Sequence, residues 1–107
     1  DIWAAEAVLR FRNEGKPIQL ISASAFRGME NRWDSSWQER YRNILSAADD
    51  VYFISDRPGR KAFFARNDWM VDRASLLLAV YTGAPGGTQE TIRYAETQGL
   101  AIKRLSL

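Results

Sequence analysis

Leu76-Leu77-Leu78-Ala79-Val80-Tyr81 is a run of six apolar or aromatic residues with no polar position. A strand with one face in water alternates in polarity. A run without alternation instead suits a central strand of a parallel sheet, covered by helices on both faces. The run ends in a Gly- and Pro-containing loop over residues 82–87, and a helical pattern begins at Thr88. Strand, glycine-rich turn and helix make one βα unit.

The rest of the chain shows the same alternation. Residues 2–14 read as a helix, with Ile2, Ala5, Val8, Leu9 and Arg12 at helical spacing, stopped by Gly15 and Pro17. A short apolar strand follows over 18–23, then a polar loop over 24–34. The spacing predicts a second helix from Ser35, where Ser35-Ser36-Trp37-Gln38 fits a capping box, with Trp37, Tyr41, Ile44, Leu45 and Ala48 as its buried stripe. Residues 51–54 form a strand, 55–61 a loop around Pro58-Gly59, and 62–74 a third helix. A fourth helix over 88–98, ended by Gly99, leads to a last strand over 101–103. The order α-β-α-β-α-β-α-β predicts an α/β fold with a parallel sheet and right-handed crossovers. No strand precedes the first helix, so an N-terminal strand is expected to be missing from the pattern. The 107 residues amount to one domain.

Composition removes several chemistries. The chain has no cysteine and no histidine, which excludes disulfides, thiolate metal sites and Ser-His or Cys-His catalysis, so no metal is expected. The net charge is +2 and scattered, which argues against a nucleic-acid partner. Twelve of the fifteen basic residues are arginine, whose planar fork suits phosphate oxygens, although an arginine-rich codon bias gives the same count. No apolar stretch approaches the ~20 residues that span a bilayer, and no signal peptide is visible. No membrane partner and a cytoplasmic setting are therefore expected.

In open parallel sheets the ligand lies beyond the carboxyl ends of the strands. That rule selects Asp1, residues 24–33, residues 55–66 and residues 82–88, stretches rich in Gly, Arg and hydroxyl side chains. The leading motif is Gly83-Ala84-Pro85-Gly86-Gly87-Thr88. Its glycines let a phosphate approach the backbone, Thr88 is placed to cap the helix, and the first-turn amides attract anions. A plain strand-to-helix turn has the same composition, and the motif is neither a Walker A loop nor a full G-x-G-x-x-G fingerprint.

Arg66 and Asn67, expected at the opening of the third helix, are candidates to pair with phosphate or ribose. Arg57, Arg60 and Lys61 read better as a solvated basic loop. Asp68 and Asp72 share a helix face, where such pairs are more often surface charges than acid/base catalysts. Trp33 sits in a cleft-side loop, suited to stacking on a base or to covering the core.

These blocks together resemble the YpsA-like family of the SLOG (SMF/DprA-LOG) superfamily. The likeness is carried by Asp1-Ile2-Trp3-Ala4-Ala5-Glu6, the Trp33 and Tyr41 region, and Arg66-Asn67 with Met70-Val71-Asp72. It continues through Leu78-Ala79-Val80-Tyr81 into Gly86-Gly87-Thr88, with Thr91-Ile92 and Tyr94-Ala95. The resemblance implies a Rossmann-like three-layer sandwich that binds a nucleotide or an ADP-ribose-like derivative. It implies too that relatives begin earlier, with a strand and glycine-rich turn whose last residue aligns with Asp1. On that reading residues 1–107 are the C-terminal two-thirds of the family domain.

LOG-type members are phosphoribohydrolases with a longer Pro-Gly-Gly-x-Gly-Thr motif. Here Pro85-Gly86-Gly87-Thr88 lacks the second Gly-Thr unit, and Glu90 matches the following acidic position only approximately.

The leading function is therefore a binding or sensing module for a small nucleotide-like ligand, with Asp1, Trp33, Arg66, Asn67, Gly83, Gly86, Gly87 and Thr88 as ligand-binding candidates. No base or nucleophile is evident, so binding is favoured over catalysis. The alternative is a phosphoribohydrolase cleaving the N-glycosidic bond of a nucleoside monophosphate, with Glu90 and Asp72 as the carboxylates. A sheet lacking its first strand has an edge to cover, which makes a homo-oligomer a further candidate.

Overall fold

Helices and strands alternate through residues 1–106, the part described by the computed structural model. The elements are α1 (Ile2–Asn13), β1 (Ile21–Ser24), α2 (Ser35–Ala47), β2 (Asp50–Phe53), α3 (Arg60–Arg73), β3 (Leu76–Val80), α4 (Gly87–Thr97) and β4 (Ala101–Leu105). All strand pairing is parallel, as the alternation predicts, and falls into two sheets of two strands, β1-β2 and β3-β4. The fold is α/β and consistent with a Rossmann-like arrangement. The chain divides into two units, Asp1–Pro58 and Gly59–Leu107, each an α-β-α-β segment.

In the first unit, β1 pairs with β2 from Ile21 opposite Asp50 to Ser24 opposite Phe53. β1 starts three residues later than its apolar run. Asp49 explains this, because its Oδ2 accepts the Leu20 N–H at 2.8 Å while its own N–H donates to the Leu20 carbonyl. Leu20 is buried, and residues 18–20 stay outside the ladder. The core is built on Leu20, Ala25, Tyr41 and Ile44, with the hydroxyls of Ser24 and Tyr41 2.6 Å apart inside it. The expected α1 stripe is half-buried throughout. Two expectations for α2 are corrected. The N-cap is Asp34, with no side-chain cap bond, and Gln38 instead donates to the carbonyls of Glu30 and Asn31. Trp37 is exposed rather than buried. It meets Trp3 edge-on and lies under the Arg40 guanidinium, which forks onto Glu6.

In the second unit, β3 pairs with β4 in register from Leu76–Ala101 to Val80–Leu105. Ala62, Val71, Ala79, Ile92 and Ala95 are its buried residues. The expected cover on both faces of β3 is not found: Leu76, Leu78 and Val80 are 49%, 60% and 48% exposed. Arg104, the register partner of Ala79, pairs with Glu96 of α4, so α4 covers the Leu77/Ala79 face. An unbroken apolar run reports hydrophobicity, and hydrophobicity alone does not determine which faces find a cover.

Candidate functional site

Residues 82–86 connect β3 to α4 as an exposed loop. Gly83 (φ +91°) and Gly86 (φ +151°) hold backbone conformations that side chains with a Cβ rarely adopt, so the turn itself calls for glycine there. Gly86, not Thr88, is the N-cap of α4, and the helix begins at Gly87. Thr88 falls one residue inside it, too late to cap. Helix geometry leaves the amides of Gly87, Thr88 and Gln89 without a carbonyl partner within α4, and no side chain caps the turn. Glu90 is the first residue to bond back, to the Gly86 carbonyl at 3.1 Å, and Thr91 Oγ1 donates to the Gly87 carbonyl. The result is an open set of N–H groups at the positive end of a helix dipole, just beyond the carboxyl end of β3.

Gly87 differs from its neighbours. Its φ is not positive, and a Cβ built on it would meet nothing within 4 Å. Neither backbone conformation nor packing inside the chain explains a glycine at this position.

Helix α3 lies parallel to α4. Asn67 and Thr91 line two grooves in common, Asp72 meets Tyr94, and Val71, Asp72, Ala74 and Ser75 line a groove with Gln98, Gly99 and Leu100, so residue numbers rise together along the seam. The upper groove has a volume of about 330 Å³ and includes Phe64, Asn67, Asp68, Glu90, Thr91 and Tyr94 in its lining. It thus brings Asn67 and Glu90 together, one turn from Gly87. Glu90 pairs loosely with Arg93 at 3.4 Å. Asp72 accepts from the Tyr94 hydroxyl at 2.7 Å, and that bond, with burial and the charges of Asp72 and Asp68, raises the Tyr94 pKa above its ordinary 10.0.

Arg66 and Asn67 do not open α3. The helix begins six residues before Arg66, behind Gly59 at φ +126°, and places both in its second turn. The helix starts at Arg60, two residues before the expected 62, because Gly59 is its N-cap, and even a start at 62 leaves Arg66 past the first turn. Arg66 Nε donates to Asn67 Oδ1 at 2.8 Å, and its guanidinium lies over Phe63. Arg57, Arg60 and Lys61 are exposed, with Arg60 over Phe64.

In the first unit, Asp1 is the N-cap of α1, its Oδ1 accepting the Ala4 N–H at 3.0 Å. Trp33 is 36% exposed and stands edge-on to Tyr41, with ring centroids 5.3 Å apart. Its loop also buries Glu30, which sequence reading passed over because a lone carboxylate in a polar stretch carries no periodic signal. Tyr94 and Asp72, 22 residues apart, left no local signal either. Among the described residues, no group of three Asp or Glu is arranged to hold a metal, and no helix is long and apolar enough to cross a membrane.

Parallel strands alternating with helices, with glycine N-caps on the helices that follow β2 and β3, define an α/β protein of the Rossmann-like class. The chain belongs to the YspA SLOG family: the YpsA family model matches residues 1–106. Its curated relatives carry the family designation UPF0398. A UPF0398 protein of Halalkalibacterium halodurans is 32% identical over 83 residues, covering 76% of this chain and 44% of the relative. One from Bacillus cereus is 30% identical over 102 residues, 92% of this chain and 55% of the relative. One from Bacillus pumilus is 31% identical over 83 residues, 76% of this chain and 45% of the relative. The chain therefore spans about half the length of the curated relatives it matches.

Proposed function

We propose that the start of α4 holds the phosphate of a nucleotide or nucleotide-derived ligand, ADP-ribose being the type, and that the chain is a binding or sensing module. Gly87 carries the reading. Nothing inside the chain requires glycine there, whereas a phosphate oxygen resting against the backbone would collide with a Cβ. The uncapped amides of Gly87, Thr88 and Gln89 supply the donors, and Gly83 and Gly86 shape the turn that presents them. Asn67, across the groove from Thr91, is within the same unit and suits a ribose hydroxyl. Membership of the SLOG family agrees with a nucleotide-related role. A ligand of this class places the work of the chain in the cytoplasm.

Calorimetry with ADP-ribose, NAD, AMP and inorganic phosphate tests the proposal. Binding is expected in the native chain, with a loss of about tenfold or more in Gly87→Ala, the scale of one charge-assisted hydrogen bond. Absence of binding by all four at millimolar concentration would sink it.

Hydrolysis of an N-glycosidic bond is the second reading, favoured by the place of Glu90 in the groove one turn along α4 from Gly87. Its test is release of ribose 5-phosphate from nucleoside monophosphates. Release that survives Glu90→Gln removes Glu90 from the chemistry, and no release removes the reading.

A further inference from the structure

The loop between β1 and α2 contains a side chain that neither the fold nor the phosphate proposal uses. Glu30 is only 9% exposed, and its Oε1 is buried with no hydrogen-bond partner. Its Oε2 faces Arg42 Nε at 3.6 Å, too long for a hydrogen bond, and Arg42 itself is well exposed. A carboxylate oxygen withdrawn from water without a donor is costly, and nearly all buried polar groups in folded chains are paired. The backbone nonetheless fixes Glu30 in place. Its carbonyl accepts from Gln38 Nε2 at 3.0 Å and from the Trp33 N–H at 2.9 Å. The second bond closes a turn from Glu30 to Trp33, whose ring is partly exposed.

We infer that Glu30 and Trp33 form a subsite for an amino-bearing planar ring such as adenine, guanine or cytosine, stacked on Trp33 with an N–H donated to Glu30 Oε1. An ionised carboxylate accepts and cannot donate, so it selects an edge rich in N–H groups, and a charge-assisted N–H···O⁻ bond is among the stronger ones. Stacking on an indole tolerates any base, which leaves discrimination to the carboxylate. Uracil offers a single N–H between two carbonyl oxygens, and both oxygens repel the carboxylate. Oε1 is covered in the free chain, so the contact requires the loop to open around Glu30 while Trp33 keeps its place as the stacking surface. The ligand drives that change because only the opened loop offers it the acceptor. The subsite lies wholly within the first unit and requires no phosphate.

The test uses nucleosides, which lack phosphate: adenosine, guanosine, cytidine and uridine, titrated against the chain by calorimetry and tryptophan fluorescence. The amino-bearing three should bind about tenfold or more tightly than uridine. Glu30→Gln, nearly identical in shape, should erase that preference and leave uridine binding unchanged, while Trp33→Leu should weaken all four alike. Uridine binding as tightly as the others in the native chain, or no binding by any of the four, overturns the inference. The native series does not depend on a variant folding. Inorganic phosphate titrated separately decides the α4 proposal, so failure of either one is recognisable by itself.

Discussion

The hydroxyls of Ser24 and Tyr41 meet at 2.6 Å in the core of the first unit, joining the end of β1 to the middle of α2. Ser24 is fully enclosed, so its hydroxyl has no recourse to water. Tyr41→Phe leaves that hydroxyl unpaired and is expected to lower stability by about 1–3 kcal/mol, read as a shift in the urea midpoint at constant slope. The double change Tyr41→Phe with Ser24→Ala should recover part of the loss, since both polar atoms are then gone. A loss in the double variant equal to the sum of the singles would show that the two hydroxyls do not act as a pair.

Ser24 and Tyr41 also mark how far the sequence can be read. Tyr41 and Ile44 lie in a helical stripe, and a stripe at 3.6 spacing is visible without a structure. Trp37 belongs to the same stripe by spacing but is exposed, because its partners are Trp3 and Arg40 at the helix surface. Gly86 and Gly87 could be placed at a helix start from composition. Which of them, or Thr88, caps the helix depends on dihedral angles that composition does not specify. Asp49 moved the start of β1 through a contact with Leu20, 29 residues away, and a window of local propensity cannot hold such a contact. Glu30 is the extreme case: its burial depends on Gln38 and Trp33 folding the loop over it.

Acid should loosen the first unit. A backbone hydrogen bond from Leu20, aided by Arg12, holds the Asp49 carboxyl below its ordinary 3.8, and the Arg40 fork holds Glu6 below its ordinary 4.5. A carboxyl with a depressed folded pKa contributes stability that is complete above its unfolded value and lost as pH falls through the folded one. Stability should therefore be level above about pH 5 and decline as the pH falls below 4.5 and then 3.8. Asp49→Asn should flatten the lower part of that decline in thermal melts recorded across the range. An unchanged profile in Asp49→Asn would show that Asp49 has no part in it.

Alkali should act on the second unit. The Tyr94 phenol donates to Asp72, so its folded pKa is raised above 10.0, and its contribution is complete below 10.0 and lost as pH rises past the folded value. Ultraviolet titration of the native chain and of Tyr94→Phe should differ by a tyrosine that ionises above 10.0. Asp72→Asn should bring it back toward 10.0, because the largest cause of the shift is then weakened. If the late titration persists in Asp72→Asn, burial and not the hydrogen bond holds the proton.

Gly86 and Gly87, adjacent in sequence, should respond oppositely to alanine. Gly86 has φ +151°, where a Cβ strains the backbone, so Gly86→Ala should destabilise the chain and disturb the turn into α4. Gly87 is already helical and has open space around it, so Gly87→Ala should leave stability unchanged or raise it by roughly 0.4–1 kcal/mol through the lower entropy of the unfolded chain. Paired thermal melts give these signs directly. If the phosphate rests on this backbone, Gly87→Ala combines intact or improved stability with weakened binding, and a fault in folding cannot produce that pair of results. Gly87→Ala with both stability and phosphate binding unchanged would move the ligand away from the start of α4. In that event Gly87 serves neither the fold nor the ligand, and the uncapped amides alone would not be enough to locate a site.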